Sequence, residues 1–416
     1  MRRTLLSLGF AVALAGLVTA RDVDPELKEK ALALNTVTQK EATFKKLREL
    51  LRDKVGTKKL LTAAAEMQKE AGKKSPFKLN AALILAKASH GLKEYATAES
   101  FYEYSAEQSV KLQDERRLVD AYTGIIQLYL TMKEYGKAES WCEKFMEFEG
   151  GREIGNGQFT VMELQITAFS KQGETDKALE KVEVLTQREG FGWVFLRLKA
   201  RVQYDAGKID DAVKTMKEQI EKIEDLDQLP AETRVESKRE AQYVLSGYLV
   251  DAKKVDEAAK LLKQLIEDDS ENPTCYNDLG FIWADHDMNF EESERLVRKA
   301  LELDTKRREK ALKKKEIDED EAKQQNAAYL DSLGWVLYKQ KKYPEAKKYL
   351  LEASKDEEEG NHLEIWDHLG DVHMALGETK DAIEVWTKSL KLEDVSKKDA
   401  ERRKKVTEKL KKAKSS

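Results

Sequence analysis

The sequence is poor in proline, cysteine and aromatic residues. Five prolines in 416 residues leave long stretches in which nothing interrupts a helix. There are only two cysteines, Cys142 and Cys275, in helix-like segments far apart. That excludes a disulfide-stapled miniature fold and reads as two buried free thiols. Aromatics are 8% and the formal net charge is −4, so no overall field marks a nucleic-acid binder. Long apolar runs are also missing, with one exception, LLSLGFAVALAGLV at 5–18. This run is shorter than the roughly 20 residues a bilayer span needs. Arg2 and Arg3 precede it, and it ends in Val18, with Thr19-Ala20 next before a charged stretch. That order is the pattern of a secretory signal. Residues 1–20 are therefore expected to be a cleaved signal peptide on an exported protein, periplasmic or secreted. A retained signal would make it an inner-membrane anchor instead.

What is abundant is charge, at 37%, spread among Ala, Leu, Glu and Lys. That mix suits a helical chain with a thin, repeated core. Residues 329–353, YLDSLGWVLYKQKKYPEAKKYLLEA, show how it is organised. Gly334 sits inside a helical pattern, where it costs about 0.5–1 kcal/mol relative to Ala. Ala346 follows twelve residues later. Gly370 and Ala382 repeat the spacing, and Gly280 and Ser293 repeat it with one extra residue. Around them stand Leu333-Gly334, Leu337 and Leu350, then Trp366, Leu369-Gly370, His373 and Trp386, and before them Tyr276, Leu279-Gly280 and Trp283. These three stretches resemble the tetratricopeptide repeat, with its W-x2-L-G-x2-Y and later A-x3-F. The resemblance implies two antiparallel helices, A and B, whose small residues meet where the backbones come closest. A leucine at Gly334 or Ala346 would then overpack by about 1–3 kcal/mol.

The twelve-residue spacing recurs upstream at Ala86/Ala98, Ile126/Ala138, Ile166/Ala178, Ala200/Ala212 and Ser246/Ala258. A similar turn precedes each second member, KEY at 93–95 and 133–135, GET at 173–175, GKI at 207–209 and KKV at 253–255. The expected fold is all-α, a right-handed α-α superhelix of about eight helix pairs with capping helices at both ends. Residues 21–78 form an N-terminal helical cap with a degenerate repeat, 57–71 being its lone helix B. The solenoid covers 79–393, with insertions at 221–237, a loop or an extended helix end, and 305–325, a prolonged helix B. Proline marks helix starts at Pro25, Pro76, Pro273 and Pro344. Residues 394–416 form a basic capping helix, in which Val406, Leu410 and Ala413 make a narrow apolar stripe. The same tail leaves open contact with an anionic membrane or wall polymer through 397–416.

Little in the sequence speaks for chemistry. His362, His368 and His373 cluster near Asp367 and Asp371, and His368 and Asp371 have an i, i+3 spacing seen among metal ligands. Core or surface histidines are the plainer reading, and no metal or other cofactor is assigned. The run GGREIGNGQ at 150–158 lacks the ending that phosphate binding needs and reads as an inter-repeat loop. The basic tail has no interleaved aromatics for base stacking, so nucleic acid is not a partner.

The resemblance implies that helices A line a concave face. In that register the inward side chains are Lys87, Arg197, Arg201, Tyr204, Tyr243, Asn277, Phe281, Asp331, Trp335, Tyr338, Asp367 and Asp371. Arg197 and Arg201, one turn apart, would grip a carboxylate jointly. Phe281, Trp335 and Tyr338 are either binding anchors or packing between repeats. The acidic end, Asp331 to Asp371, favours a basic partner. The implied function is a non-catalytic scaffold that holds a protein or peptide in the groove. The alternative is a structural envelope protein.

Overall fold

The computed structural model describes residues 24–72, 74–356, 360–392 and 397–415. The expected signal at 1–20 lies outside them. Every regular element among the described residues is helical. Eight helix pairs follow one another, each of a helix A and a helix B. Pairs 1 to 3 are Leu79–Gly91 with Tyr95–Leu112, Glu115–Thr131 with Tyr135–Met146, and Arg152–Gln172 with Thr175–Thr186. Pairs 4 and 5 are Leu196–Asp205 with Ile209–Glu224 and Ala231–Asp251 with Val255–Asp268. Pairs 6 to 8 are Pro273–Asp285 with Phe290–Lys313, Ala327–Lys339 with Tyr343–Ala353, and Leu363–Ala375 with Thr379–Ser389. The helices are called 1A to 8B below. The fold class is that of the α-α superhelix. None of these helices is long and apolar enough to cross a membrane.

The pairing has two physical causes. The first is the turn. In all eight pairs the A–B turn holds a residue in the left-handed region: Lys93, Lys133, Gly173, Gly207, Lys253, Asp287, Lys341 and Gly377. The next N–H then donates to a carbonyl five residues back, as Lys342 does to Leu337 and Glu378 to His373, both at 2.9 Å. This closes the end of helix A and reverses the chain at once. The second cause is the small-residue register. All sixteen positions of the twelve-residue spacing are buried. A Cβ on Gly334 would lie 2.5 Å from Leu350 Cγ and 3.3 Å from the Ala346 carbonyl, so nothing larger than glycine fits.

The chain divides into two compact units, Met1–Val182 and Glu183–Ser416, and the division falls within helix 3B. In the first unit one continuous core runs from Ala31 and Leu34 to Val161 and Ala168. Its N-terminal part has helices Pro25–Ala33, Lys40–Arg52 and Lys54–Ala71, the last two separated by Asp53 alone. Helix 1A starts at Leu79, so Pro76 precedes the helix rather than beginning it. The Ser75 hydroxyl instead accepts from the Phe77 N–H at 3.1 Å, forming a turn. The glycine-rich run at 150–158 is also not a loop. Helix 3A begins at Arg152 and runs through it, because Gly157 lets 3A approach Val119 and Phe145 too closely for any Cβ. Packing there outweighs glycine's low helix propensity.

In the second unit the core is a series of local clusters that join neighbouring pairs, the last joining 8B to the C-terminal helix. The 221–237 segment holds the last turn of 4B, a short connection and the first turns of 5A, with Pro230 just before that helix. Helix 6B is prolonged to Lys313, followed by the short helix Glu319–Lys323. The C-terminal helix, Lys397–Ser415, buries Val406, Leu410 and Ala413 against Ala382 and Trp386 of 8B. Cys142 and Cys275 are free and buried, and desolvation pushes both thiols up to about 12.

Candidate functional site

Helices 1A, 2A and 3A touch in succession in the first unit and 6A, 7A and 8A in the second, while consecutive B helices of these pairs do not approach as closely. Each of these stacks therefore curves with its A helices on the inner side. The residues expected to face inward divide into two kinds of surface.

In the first unit the inner side keeps a cavity of about 450 Å³. Lys87 and His90 of 1A, Tyr102 of 1B, and Asp120, Thr123 and Gln127 of 2A line it, with Leu47 of the N-terminal helix at its edge. Lys87 and Asp120 stand 3.5 Å apart, both partly exposed. His90 contacts the Thr131 hydroxyl at 3.2 Å, and burial holds its pKa below the ordinary value. Gly124 makes the space, since a Cβ there would strike the Tyr102 ring.

In the second unit the inward residues are mostly engaged with each other. Arg197 reaches Glu240 of 5A at 3.4 Å, and both it and Arg201 are exposed near Tyr248. Tyr204 donates to Asp251 at 2.6 Å and stacks on Tyr248, the ring centres 4.6 Å apart. Tyr243 donates to Asp278 at 2.7 Å, and burial together with that carboxylate raises the phenol's pKa. Asn277 is buried, donating to Asp278 at 3.2 Å while its own Oδ1 has no partner.

The aromatic residues pack between pairs. The Trp335 ring lies flat against His368 of 8A at 4.1 Å and against Tyr338 at 5.0 Å, and its N–H donates to Asp285 of 6A at 3.1 Å. Phe281 lies tilted to His368, the ring centres 6.3 Å apart. His368 is fully buried, its Nδ1 2.9 Å from Asp331. The i, i+3 spacing of His368 and Asp371 thus makes no joint site, because His368 turns to Asp331 while Asp371 turns to Lys409.

The acidic end is covered from within the chain. Arg402 of the C-terminal helix bonds Glu364, meets Asp367 at 3.3 Å and touches His368 Nε2 at 3.3 Å. Lys409 meets Asp367 at 2.7 Å and Asp371 at 2.6 Å. Lys398 reaches Asp251 of 5A at 2.9 Å. Burial and the neighbouring Asp367 raise the Asp371 pKa. Inspection of helices A alone misses these three cations. The signal for them is in the tail: at about 100° per residue, Lys398, Arg402 and Lys409 fall on one line of a helix.

One further group has metal-ligand geometry among the described residues. Ligand-type atoms of His373, Glu378 and Asp381 lie within 4.8 Å of one another. Lys347, however, holds both oxygens of Glu378, at 2.9 and 2.7 Å, so a cation there would face an ammonium. His373 is buried at the repeat's aromatic position and bonds Glu378 at 2.6 Å.

Among known proteins, residues 326–355, essentially pair 7 with its cap, match the tetratricopeptide repeat family model. No curated protein matches the sequence. Among solved structures, the chain is similar to a tetratricopeptide repeat protein from Parabacteroides merdae at 12% identity, covering 70% of this chain and 98% of that one, with a TM-score of 0.45. It is also similar to BtubC from P. vanneervenii at 15% identity, covering 55% and 89%, with a TM-score of 0.39. The left-handed turn and the buried small-residue register recur in all eight pairs, and one of them, pair 7, matches the tetratricopeptide repeat model.

Proposed function

We propose that the chain is an exported, non-catalytic scaffold that holds a peptide or partner protein against the inner faces of its A helices. Tetratricopeptide repeats are in general protein-interaction scaffolds. The observation that carries the reading further is the inner side of the first unit, where Lys87, Asp120 and Gln127 stay partly accessible around a cavity of about 450 Å³. In the second unit, Arg197 and Arg201 of helix 4A are exposed and offer a separate basic surface. Export is supported by the basic, apolar and small-residue order of residues 1–20. Affinity capture from the exported fraction tests the reading. A partner retained by the wild type and lost with Lys87→Ala or Arg197→Ala/Arg201→Ala supports it. A partner unaffected by both variants overturns it. Mass measurement of the mature N-terminus should give a chain starting at Arg21.

A second reading is favoured by the outer side of the C-terminal helix, where Lys404, Lys405, Lys411, Lys412 and Lys414 are exposed. That face suits an anionic membrane or wall polymer. Salt-sensitive binding to anionic liposomes, lost when these lysines become glutamine, distinguishes it.

A further inference from the structure

The acidic inner surface of pairs 7 and 8 does not stand empty, and its occupant has a readable pattern. Lys398, Arg402 and Lys409 are spaced i, i+4 and i+11, which places them within about 40° of one another around a helix. Their carboxylate partners are Asp251 on 5A and Glu364, Asp367 and Asp371 on 8A. Val406, Leu410 and Ala413 form the adjoining apolar stripe, buried against Ala382 and Trp386. Arg403 adds a bond to the Leu390 carbonyl at 2.6 Å. Asp367 is 3% exposed and Asp331 5%, and a buried carboxylate left without a cationic or hydrogen-bonding partner is costly.

We propose that this surface is a receptor for a basic amphipathic helix, and that the protein's own C-terminal helix is its resident ligand. The external partner is then a helix with cations at i, i+4 and i+11 beside a small apolar stripe. It gains access by displacing residues 397–415. This rests on the groove reading above and specifies the partner for the second unit alone. Of the twelve inward positions, Asp331, Asp367 and Asp371 are the ones that this partner addresses, and Trp335 with His368 forms the floor between them.

The test uses the full chain and a labelled synthetic peptide of residues 397–415. The control peptide has the same composition, with the three cations moved off the common line. The expected result is an order of affinity for the labelled peptide. Wild type is weakest, Lys409→Gln is intermediate, and Arg402→Ala/Lys409→Ala is at least about tenfold tighter than wild type. Adding Asp367→Asn/Asp371→Asn to the double variant should abolish the gain. Equal binding by wild type and Lys409→Gln, or equal binding of the control peptide, overturns the proposal. So does loss of hydrogen-exchange protection throughout pairs 7 and 8 in Lys409→Gln, because the helix is then a fixed wall and not a replaceable ligand. If the peptide fails while partner capture still depends on Lys87 or Arg197, the groove reading stands and only this inference falls.

Discussion

Pairs 1 and 2 and pairs 7 and 8 are built from the same repeat, yet their glycines serve different contacts. Gly334 faces Leu350 and Ala346 of its own helix B, and Gly370 faces Trp386 of its own helix B. Gly124 faces Tyr102, which belongs to the preceding pair, and Gly157 likewise faces Val119 and Phe145 of the preceding pair. In the second unit glycine tightens a pair. In the first it draws successive pairs together, and next to Gly124 the Tyr102 ring borders open space. The inner surfaces differ accordingly. One keeps a polar cavity, while the other is filled by stacked rings and by the chain's own C-terminal helix. A repeat therefore fixes helix direction without fixing whether the groove stays open.

Substitutions can break this contrast. The largest effect is expected at Trp386, which is 3% exposed, packs with Val406 and Leu410, and donates to Asp367 at 3.2 Å. Trp386→Ala should cost about 3–5 kcal/mol, measured by denaturant unfolding, and should release the C-terminal helix in hydrogen exchange. Next, Gly334→Ala should cost about 1–3 kcal/mol, because Leu350 is fully buried and has nowhere to move. Gly124→Ala should cost less, below about 1 kcal/mol, because the Tyr102 ring can shift into the cavity beside it. Equal costs at the two glycines would mean that the two units pack their glycines alike.

A gain is expected at the turns. Lys341 has φ +64° where Gly377, its counterpart in pair 8, has +77°. A side chain in the left-handed region costs about 1–2 kcal/mol, and glycine's extra freedom in the unfolded chain returns about 0.4–1. Lys341→Gly should thus stabilise by up to about 1.6 kcal/mol, seen as a higher midpoint in urea.

The smallest effect is a pH dependence of opposite sign in the two units. Burial disfavours protonated His368, but Asp331 at 2.9 Å and Glu364 outweigh both burial and the opposing Arg402, raising its pKa. A raised histidine pKa contributes stability that is complete below about 6.5 and lost as pH rises through the folded value. The melting-temperature advantage of wild type over His368→Gln should therefore shrink from about pH 6 to pH 9. The first unit has the opposite case in His90, where burial alone lowers the pKa. A histidine whose folded pKa is lowered opposes folding as it becomes protonated on acidification. His90→Gln should therefore relieve a cost at acid pH and raise the melting temperature relative to wild type as pH falls below about 6.5.

The helix pairs were legible because the small-residue spacing and the turn letters are local. Gly334 with Ala346, and the turn beginning at Lys341, each lie within one repeat, so a linear reading finds them. The glycine run at 150–158 misled because its reason to be helical, contact with Val119 and Phe145, comes from another pair. The occupants of the acidic surface were out of reach for the same cause: Arg402 and Lys409 meet residues more than thirty positions away.

The sequence by itself determined that this protein is a stack of antiparallel helix pairs, because short-range sterics and a recurrent left-handed turn leave the backbone few alternatives. Only the tertiary structure decided which inner surface stays open and which is closed. That choice depends on whether buried carboxylates find cations, and the cations arrive on a helix that no local pattern ties to them.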